Sequence, residues 1–250
     1  MGDVAEDETS FYSNAEGYWR DVSPTVDGML GGYGCISNID INGSKLFLHK
    51  FLGDGDGGTG TGTGTGCALD CGAGIGRISK RLLLPLFRTV DLVDVTQEFL
   101  DKAKTYLEED SKRVGHYFCS GLQDFVPERG RYDVIWIQWV IGESAPRATR
   151  SEQRPRVLTS PRPLAGHLTD AHLVEFLRRC QEALRPNGLI LIKDNMSHEG
   201  VVPDEVDSSV CRELPIVRDL VSRAGLRIVH EEQQLDFPKE IFQVHTLALR

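Results

Sequence analysis

Long apolar runs are missing from this 250-residue sequence: the longest, Val134–Ile137 and Leu189–Ile192, fall far short of the roughly 18 residues a membrane span needs, which excludes one. A basic or apolar leader is missing too. The opening MGDVAEDETS is acidic and does not read as a secretory signal, and Glu6 stands where a myristoylation signal at Gly2 requires Ser or Thr. Positive charge is in deficit, with 28 Lys and Arg against 37 Asp and Glu and a formal net charge of -9. That argues against wrapping nucleic acid non-specifically and suits a cationic partner. The six cysteines (Cys35, Cys67, Cys71, Cys119, Cys180, Cys211) form no CxxC pair, and several fall in apolar strand-like runs, which points to reduced, buried thiols in an intracellular protein. What is present is an ordinary globular composition, 40% hydrophobic and 26% charged, long enough for one well-packed core without staples.

Two tracts break the texture. Gly53 to Gly66 reads GDGDGGTGTGTGTG, a flexible linker by composition, with no GK[ST] ending to make it a phosphate cradle. Glu143 to Ala165 carries four prolines and five arginines without a helical or strand period, and reads as an inserted, disordered excursion. Between them, strand and helix signals alternate. Cys67–Cys71, Val90–Val95, Tyr117–Ser120, Tyr132–Ile141 and Leu189–Lys193 read as strands, separated by helical patterns at Ile75–Phe87, Gln97–Glu109 and Asp170–Leu184. A helix at Glu213–Ala224 and two extended runs, Leu226–Glu231 and Phe242–Leu249, follow; the runs have no helix between them and can pair as an antiparallel edge hairpin. The alternation predicts an α/β fold with a mainly parallel sheet. Residues 1–52, with helices near Phe11–Trp19 and Ser44–Leu52, are expected to cap its carboxyl edge.

In such folds the ligand sits where the first glycine-rich turn follows the first strand. Here the turn is Asp70-Cys71-Gly72-Ala73-Gly74-Ile75-Gly76-Arg77, a GxGxG spacing, and Asp94 ends the second strand, where it can accept hydrogen bonds from both hydroxyls of a ribose. Nicotinamide and S-adenosylmethionine enzymes share that device. No residue cluster suits a pyrophosphate, which favours S-adenosylmethionine, and Asp124 follows the third strand, where it either reads an adenine edge or caps a turn. His167 and His172 are spaced HxxxxH, on different helical faces, which argues against a metal.

The runs PTVDGMLGGYG (Pro24 to Gly34), LDCGAGIGRISKRLLLPLF (Leu69 to Phe87), GLQDF (Gly121 to Phe125), YDVIWIQWVIG (Tyr132 to Gly142) and IKDN (Ile192 to Asn195) resemble the protein α-N-terminal methyltransferases, across nearly the whole chain except the two odd tracts. The resemblance implies a single domain over 1–250 with a seven-stranded Rossmann-like class I methyltransferase fold, an N-terminal helical cap and a C-terminal edge β-hairpin. It implies S-adenosyl-L-methionine as cofactor, held by Gly72, Arg77, Asp94, Thr96, Leu122, Gln123 and Gln138. It also implies methylation, once or successively, of the α-amine of proteins that begin Xaa-Pro-Lys or Xaa-Pro-Arg after loss of the initiator methionine, in nucleus and cytoplasm, without direct nucleic-acid or membrane partners. Its substrate positions carry over to Tyr18, Trp19, Leu30, Gly31, Trp139, Asn195, Asp204, Ser209, Ile241 and Phe242, and its proposed bases to Asp207 and His167. The chemistry accords with these types: an α-amine of pKa about 8 has one proton to lose, and aromatic faces stabilise the ammonium and tolerate added methyls.

Two departures stand out. The family's continuous IGHLTD is interrupted here, and removing Glu143 to Gly166, 24 residues, would restore it. Phe242 stands where the family commonly has Tyr. The interruption leaves open a catalytically impaired form that binds cofactor or a partner. The residues are also compatible with a methyltransferase of small amines, and less so with an NAD-dependent enzyme.

Overall fold

The computed structural model describes residues 8–52, 66–141, 168–204, 209–238 and 241–250. The Gly/Thr tract, apart from Gly66, and the whole 143–166 insertion lie outside them. Seven strands form one sheet. β1 (Cys67–Cys71), β2 (Thr89–Asp94), β3 (Val114–Cys119), β4 (Tyr132–Gln138) and β5 (Leu184–Met196) are parallel, and β8 (Ile228–Gln233) and β9 (Gln243–Leu249) add an antiparallel edge, in the order β3-β2-β1-β4-β5-β9-β8. The final strand thus lies inside its hairpin partner, between β5 and β8.

β1 is buried along its whole length and β4 nearly so, as expected of parallel strands covered on both faces. One face carries α5 (Asp170–Ala183) and α6 (Leu214–Arg223), packed through Leu173, Phe176, Leu177, Leu220 and Val221 onto Leu69, Ile135 and Ile190. The other carries α3 (Ser37–His49) and α4 (Gln97–Tyr106), packed through Ile41, Phe47, Leu48, Leu100 and Ala103 onto Ala68, Leu92 and Trp136. α1 (Glu8–Arg20) and the short α2 (Val26–Met29) complete the cap.

The differences from the sequence reading have local causes. The second cap helix starts at Ser37 rather than Ser44, because Asp40 and Ser44 are buried inside its face instead of ending it. The segment after the glycine turn is a π-turn, Ser79–Leu83, with Leu84 N donating to Ser79 O at 2.8 Å. Arg185–Gly188 does turn, with Asn187 at φ 69°, but as an irregularity inside β5, since Leu184 already pairs with Tyr132. A further antiparallel pair, β6 (Val201–Asp204) and β7 (Ser209–Arg212), occupies a stretch that reads as loop. All six cysteines are free, but Cys35 and Cys119 are exposed, contrary to the expectation of burial; strand β3, which ends at Cys119, lies at the sheet's edge and has no fully buried residue.

Candidate active site

The strand order reverses between β1 and β4, and the chain ends leaving those two strands open a cleft of about 1040 Å³, counted out to its mouth. Gly72, Gly74, Arg77, Asp94, Leu122, Gln123, Gln138 and Trp139 line it, with Tyr12 and Trp19 from α1 above. Gly72 has φ 69°, and a Cβ there would fall 2.2 Å from Val140 Cγ1, so the floor between the two strand ends has room only for glycine.

Two buried carboxylates shape the floor. Asp70 Oδ2 accepts from Ser79 N (3.0 Å) and Ser79 Oγ (2.6 Å), pinning the chain beyond the glycine turn. Asp94 accepts from Gly74 N through Oδ2 and from Thr96 N through Oδ1, both at 2.8 Å. Burial pushes both acids up to about 6, against the hydrogen bonds that favour their ionised forms. A carboxylate has about four acceptor positions, so these backbone donors leave Asp94 some capacity for a ligand. Thr96 is not in the cleft wall; its amide orients Asp94. Asp124 is exposed and off the wall, contrary to its adenine-reading role, because the turn closed by Phe125 N on Gly121 O presents Leu122 and Gln123 instead.

The least legible element is a buried charge network behind the cleft. Asp40 on α3 lies 2.7 Å from Arg77 Nη1 and 2.7 Å from Lys193 Nζ, and all three side chains are at most 5% exposed. Gln138 donates from Nε2 to Asp40 and accepts from Trp136 Nε1 at 2.8 Å, so its amide organises the network rather than a ligand. Lys193 also donates to Asp40 O, Ser44 Oγ and Gln234 Oε1. Burial alone would raise the Asp40 acid, but the two cations outweigh it and hold it below the ordinary aspartate value; burial draws Lys193 below the ordinary lysine value against the pull of Asp40. Two cations against one anion leave a positive excess, and Arg77 brings it to the cleft wall. Nothing in the sequence marked Asp40 beyond an isolated acid between Ile39 and Ile41.

Trp139 directly follows β4 in the left-handed region, φ 54°, which is strained for a bulky residue. Asp194 sustains it: Oδ2 accepts from Val140 N and Ile141 N (3.0 and 2.9 Å) and Oδ1 from Asn195 N. The indole is buried against Leu30 and Ile36, with Trp19, Val26, Tyr33, Phe237 and Ile241 around them, and Arg77 lies 5.3 Å from its centroid. The structure therefore brings Trp19, Leu30, Trp139 and Ile241 into one apolar cluster, of which Trp19 and Trp139 also line the cleft. Gly31 follows Leu30 at φ 56°, and Tyr18 stands edge-on to Trp19. Asn195 and Ser209 are buried nearby at the strand ends, while Phe242 stacks edge-on to His198, 5.8 Å away. Asp204 is in β6; His167 and Asp207 lie outside the described residues.

Over residues 7–147 and 161–250 the sequence matches the family described as AdoMet dependent proline di-methyltransferase. The chain belongs to this family. It is 68% identical over 247 residues to N-terminal Xaa-Pro-Lys N-methyltransferase 1 of Danio rerio, covering 99% of this chain and 98% of that protein. To the Homo sapiens protein of the same name it is 58% identical over 248 residues, covering 99% of each. A solved S-adenosylmethionine-dependent methyltransferase from Leishmania major superposes with a TM-score of 0.79 at 34% identity, over 100% of this chain and 87% of that one. The Burkholderia thailandensis 1,6-didemethyltoxoflavin-N1-methyltransferase, at 18% identity and a TM-score of 0.57 over 97% of this chain and 86% of that one, shares the fold. The methyltransferase's cofactor is S-adenosylmethionine, and the cleft fits it: a glycine floor for close approach, free acceptor capacity on Asp94 for a ribose, and an excess cation at Arg77 for a carboxylate.

Proposed function

We propose that this chain methylates the free α-amine of proteins that begin Xaa-Pro-Lys or Xaa-Pro-Arg once the initiator methionine is removed. The observation that carries the reading is that the cofactor cleft adjoins an aromatic cluster: Trp19 and Trp139 line the cleft and belong to the cluster. Relatives at 58–68% identity bear the corresponding name.

S-adenosylmethionine supplies an electrophilic methyl on a sulfonium when bound. The chain's own residues do the rest. The substrate's proline ring is assigned to the apolar cluster of Leu30, Trp139 and Ile241, which directs the α-amine of the residue before it toward the cleft. Asp207 and His167 are the proposed acceptors of the amine's proton, needed before each attack. The product ammonium is positively charged and has one N–H fewer after each methyl is added, and the indole faces hold such a cation without requiring N–H groups, which permits repeated transfer. Asp204 is the proposed partner of the basic third residue. Nuclear and cytoplasmic residence is part of the same proposal.

No described residue favours a catalytically impaired form; Ile141 and Leu168, which flank the insertion, both accept hydrogen bonds from Arg212. The test is mass spectrometry of a Ser-Pro-Lys-Arg peptide incubated with S-adenosylmethionine and the full chain. Stepwise gains of 14 Da at the α-amine are expected; unmodified peptide, with S-adenosylhomocysteine binding intact, would reject the substrate assignment.

A further inference from the structure

Resting on that proposed function, we propose that Arg212 is a positioning residue for methyl transfer, gathering the end of β4, the start of α5 and the base of the β6–β7 hairpin onto one buried guanidinium. It is 1% exposed and presents its planar fork to three acceptors. Nη1 donates to Ile141 O, Nη2 to Leu168 O at 2.6 Å, and Nε to Asp170 Oδ1 at 2.7 Å. Each acceptor belongs to a different part of the reaction site. Ile141 lies two residues beyond Trp139, which lines the cleft. Leu168 directly follows His167, and Asp170 opens α5 behind the Thr169 cap. Arg212 itself pairs with Val201 at the base of the hairpin, whose opposite end pairs Asp204 with Ser209; residues 205–208, which include Asp207, join the two strands.

The covalent connection does not substitute for this clamp. Between Ile141 and Leu168 stand 26 residues, enough to reach roughly 90 Å when extended, so chain continuity sets no useful limit on how far the two ends can separate. With 143–166 removed, only Gly142 and His167 join them, and three Cα–Cα steps hold Ile141 within about 11 Å of Leu168 whatever residue 212 is. The contribution of Arg212 therefore depends on the length of the connector, a dependence that a purely core-stabilising arginine lacks.

The experiment measures kcat and KM for the Ser-Pro-Lys-Arg peptide, Kd for S-adenosylhomocysteine, and backbone hydrogen exchange, for wild type, Arg212→Ala and Arg212→Lys, each in the full chain and in the chain lacking 143–166. In the full chain, Arg212→Ala is expected to lower kcat about 10²-fold, as a misplacement near 1 Å does, with Kd for S-adenosylhomocysteine changed less than about threefold and faster exchange confined to residues 140–141 and 168–172. In the shortened chain the same substitution lowers kcat less than tenfold. Arg212→Lys lies between, and carries the comparison by the same criteria if the alanine variant does not fold. Equal losses in both chains, or cofactor affinity falling in step with kcat, would overturn the proposal. If the wild-type chain binds S-adenosylhomocysteine but leaves the peptide unmodified, the substrate assignment is at fault, and the exchange data still decide on Arg212: unaltered protection at 140–141 and 168–172 refutes the clamp.

Discussion

Replacing Asp40 by Asn isolates the charge network behind the cofactor cleft. The substitution keeps volume and one carbonyl acceptor but removes the anion shared by Arg77 and Lys193, each 2.7 Å away and nearly inaccessible to solvent. Breaking a buried pair by deleting one partner costs about 3–5 kcal/mol, because the remaining charge is stranded in a poor dielectric. For a chain of this size that corresponds to a fall in Tm of roughly 10 °C. The loss should depend on pH with a definite sign. Lys193 already ionises below the ordinary lysine value, and without Asp40 its pKa falls further. Between that lowered pKa and the unfolded value of 10.5, the folded variant binds fewer protons than the unfolded chain, so its stability rises with pH toward 10.5 and the gap to wild type narrows. The assay is urea unfolding of both proteins at pH 7.0, 8.0, 9.0 and 9.5, followed by circular dichroism. A gap below about 1 kcal/mol at pH 7, or one that stays constant to pH 9.5, would refute the reasoning.

Cofactor affinity should weaken as pH drops through about 6, by up to tenfold per pH unit, because protonated Asp94 no longer accepts from a ribose; calorimetry with S-adenosylhomocysteine checks this. Asp94→Asn should start roughly 10- to 100-fold weaker and show no such fall, since a hydrogen bond to a charged group is worth about 1.5–3 kcal/mol. The apo-state linkage has the opposite sense: with its folded pKa raised above the unfolded value, Asp94 favours folding fully below about 4 and loses that contribution as pH rises through about 6. Gly72→Ala should abolish cofactor binding, whereas Gly74→Ala should weaken it less, although both have positive φ. The Cβ at 72 meets the branched Val140 side chain at 2.2 Å and the one at 74 meets the flexible Met29 sulfur at 2.5 Å; a thermal-shift titration separates them. Asp207→Asn should cut kcat by about 10²-fold with S-adenosylhomocysteine affinity unchanged, the pattern of a lost proton acceptor.

What the sequence displays and what it hides divide along physical lines. β1, its glycine turn, Asp94 and β4 are legible because backbone requirements write themselves into residue type: glycine where side chains cannot fit, β-branched runs where both faces are covered. Trp19, Leu30 and Trp139 came from family resemblance, since an aromatic on a buried strand looks the same whether it fills core or faces a ligand. Asp40 and Arg212 stayed invisible because their roles are long-range. Asp40 meets Lys193 across 153 positions and Arg212 meets Ile141 across 71, and no local pattern distinguishes either from a solvated charge. The β6–β7 hairpin escaped because Pro203 and its acidic neighbours suppress the strand signal, although an edge strand, as each strand of a two-stranded ribbon is, tolerates a proline.

The hold of Asp194 on three amide donors, those of Val140 and Ile141 beyond β4 and of Asn195 in β5, bears on how this enzyme can change its preferences. Those tips form a stiff lip: altering one side of it disturbs Trp139, Asn195 and the cofactor floor together. The opposing wall, α1 and α2, meets the body through apolar contacts and through the Tyr12 hydroxyl, which bonds His172 and the Thr169 amide. Adaptation to a bulkier first residue is therefore cheapest through substitutions on those helices, which can shift without breaking a strand pairing, and a library for altered peptide scope belongs at residues 15–33 rather than on the sheet.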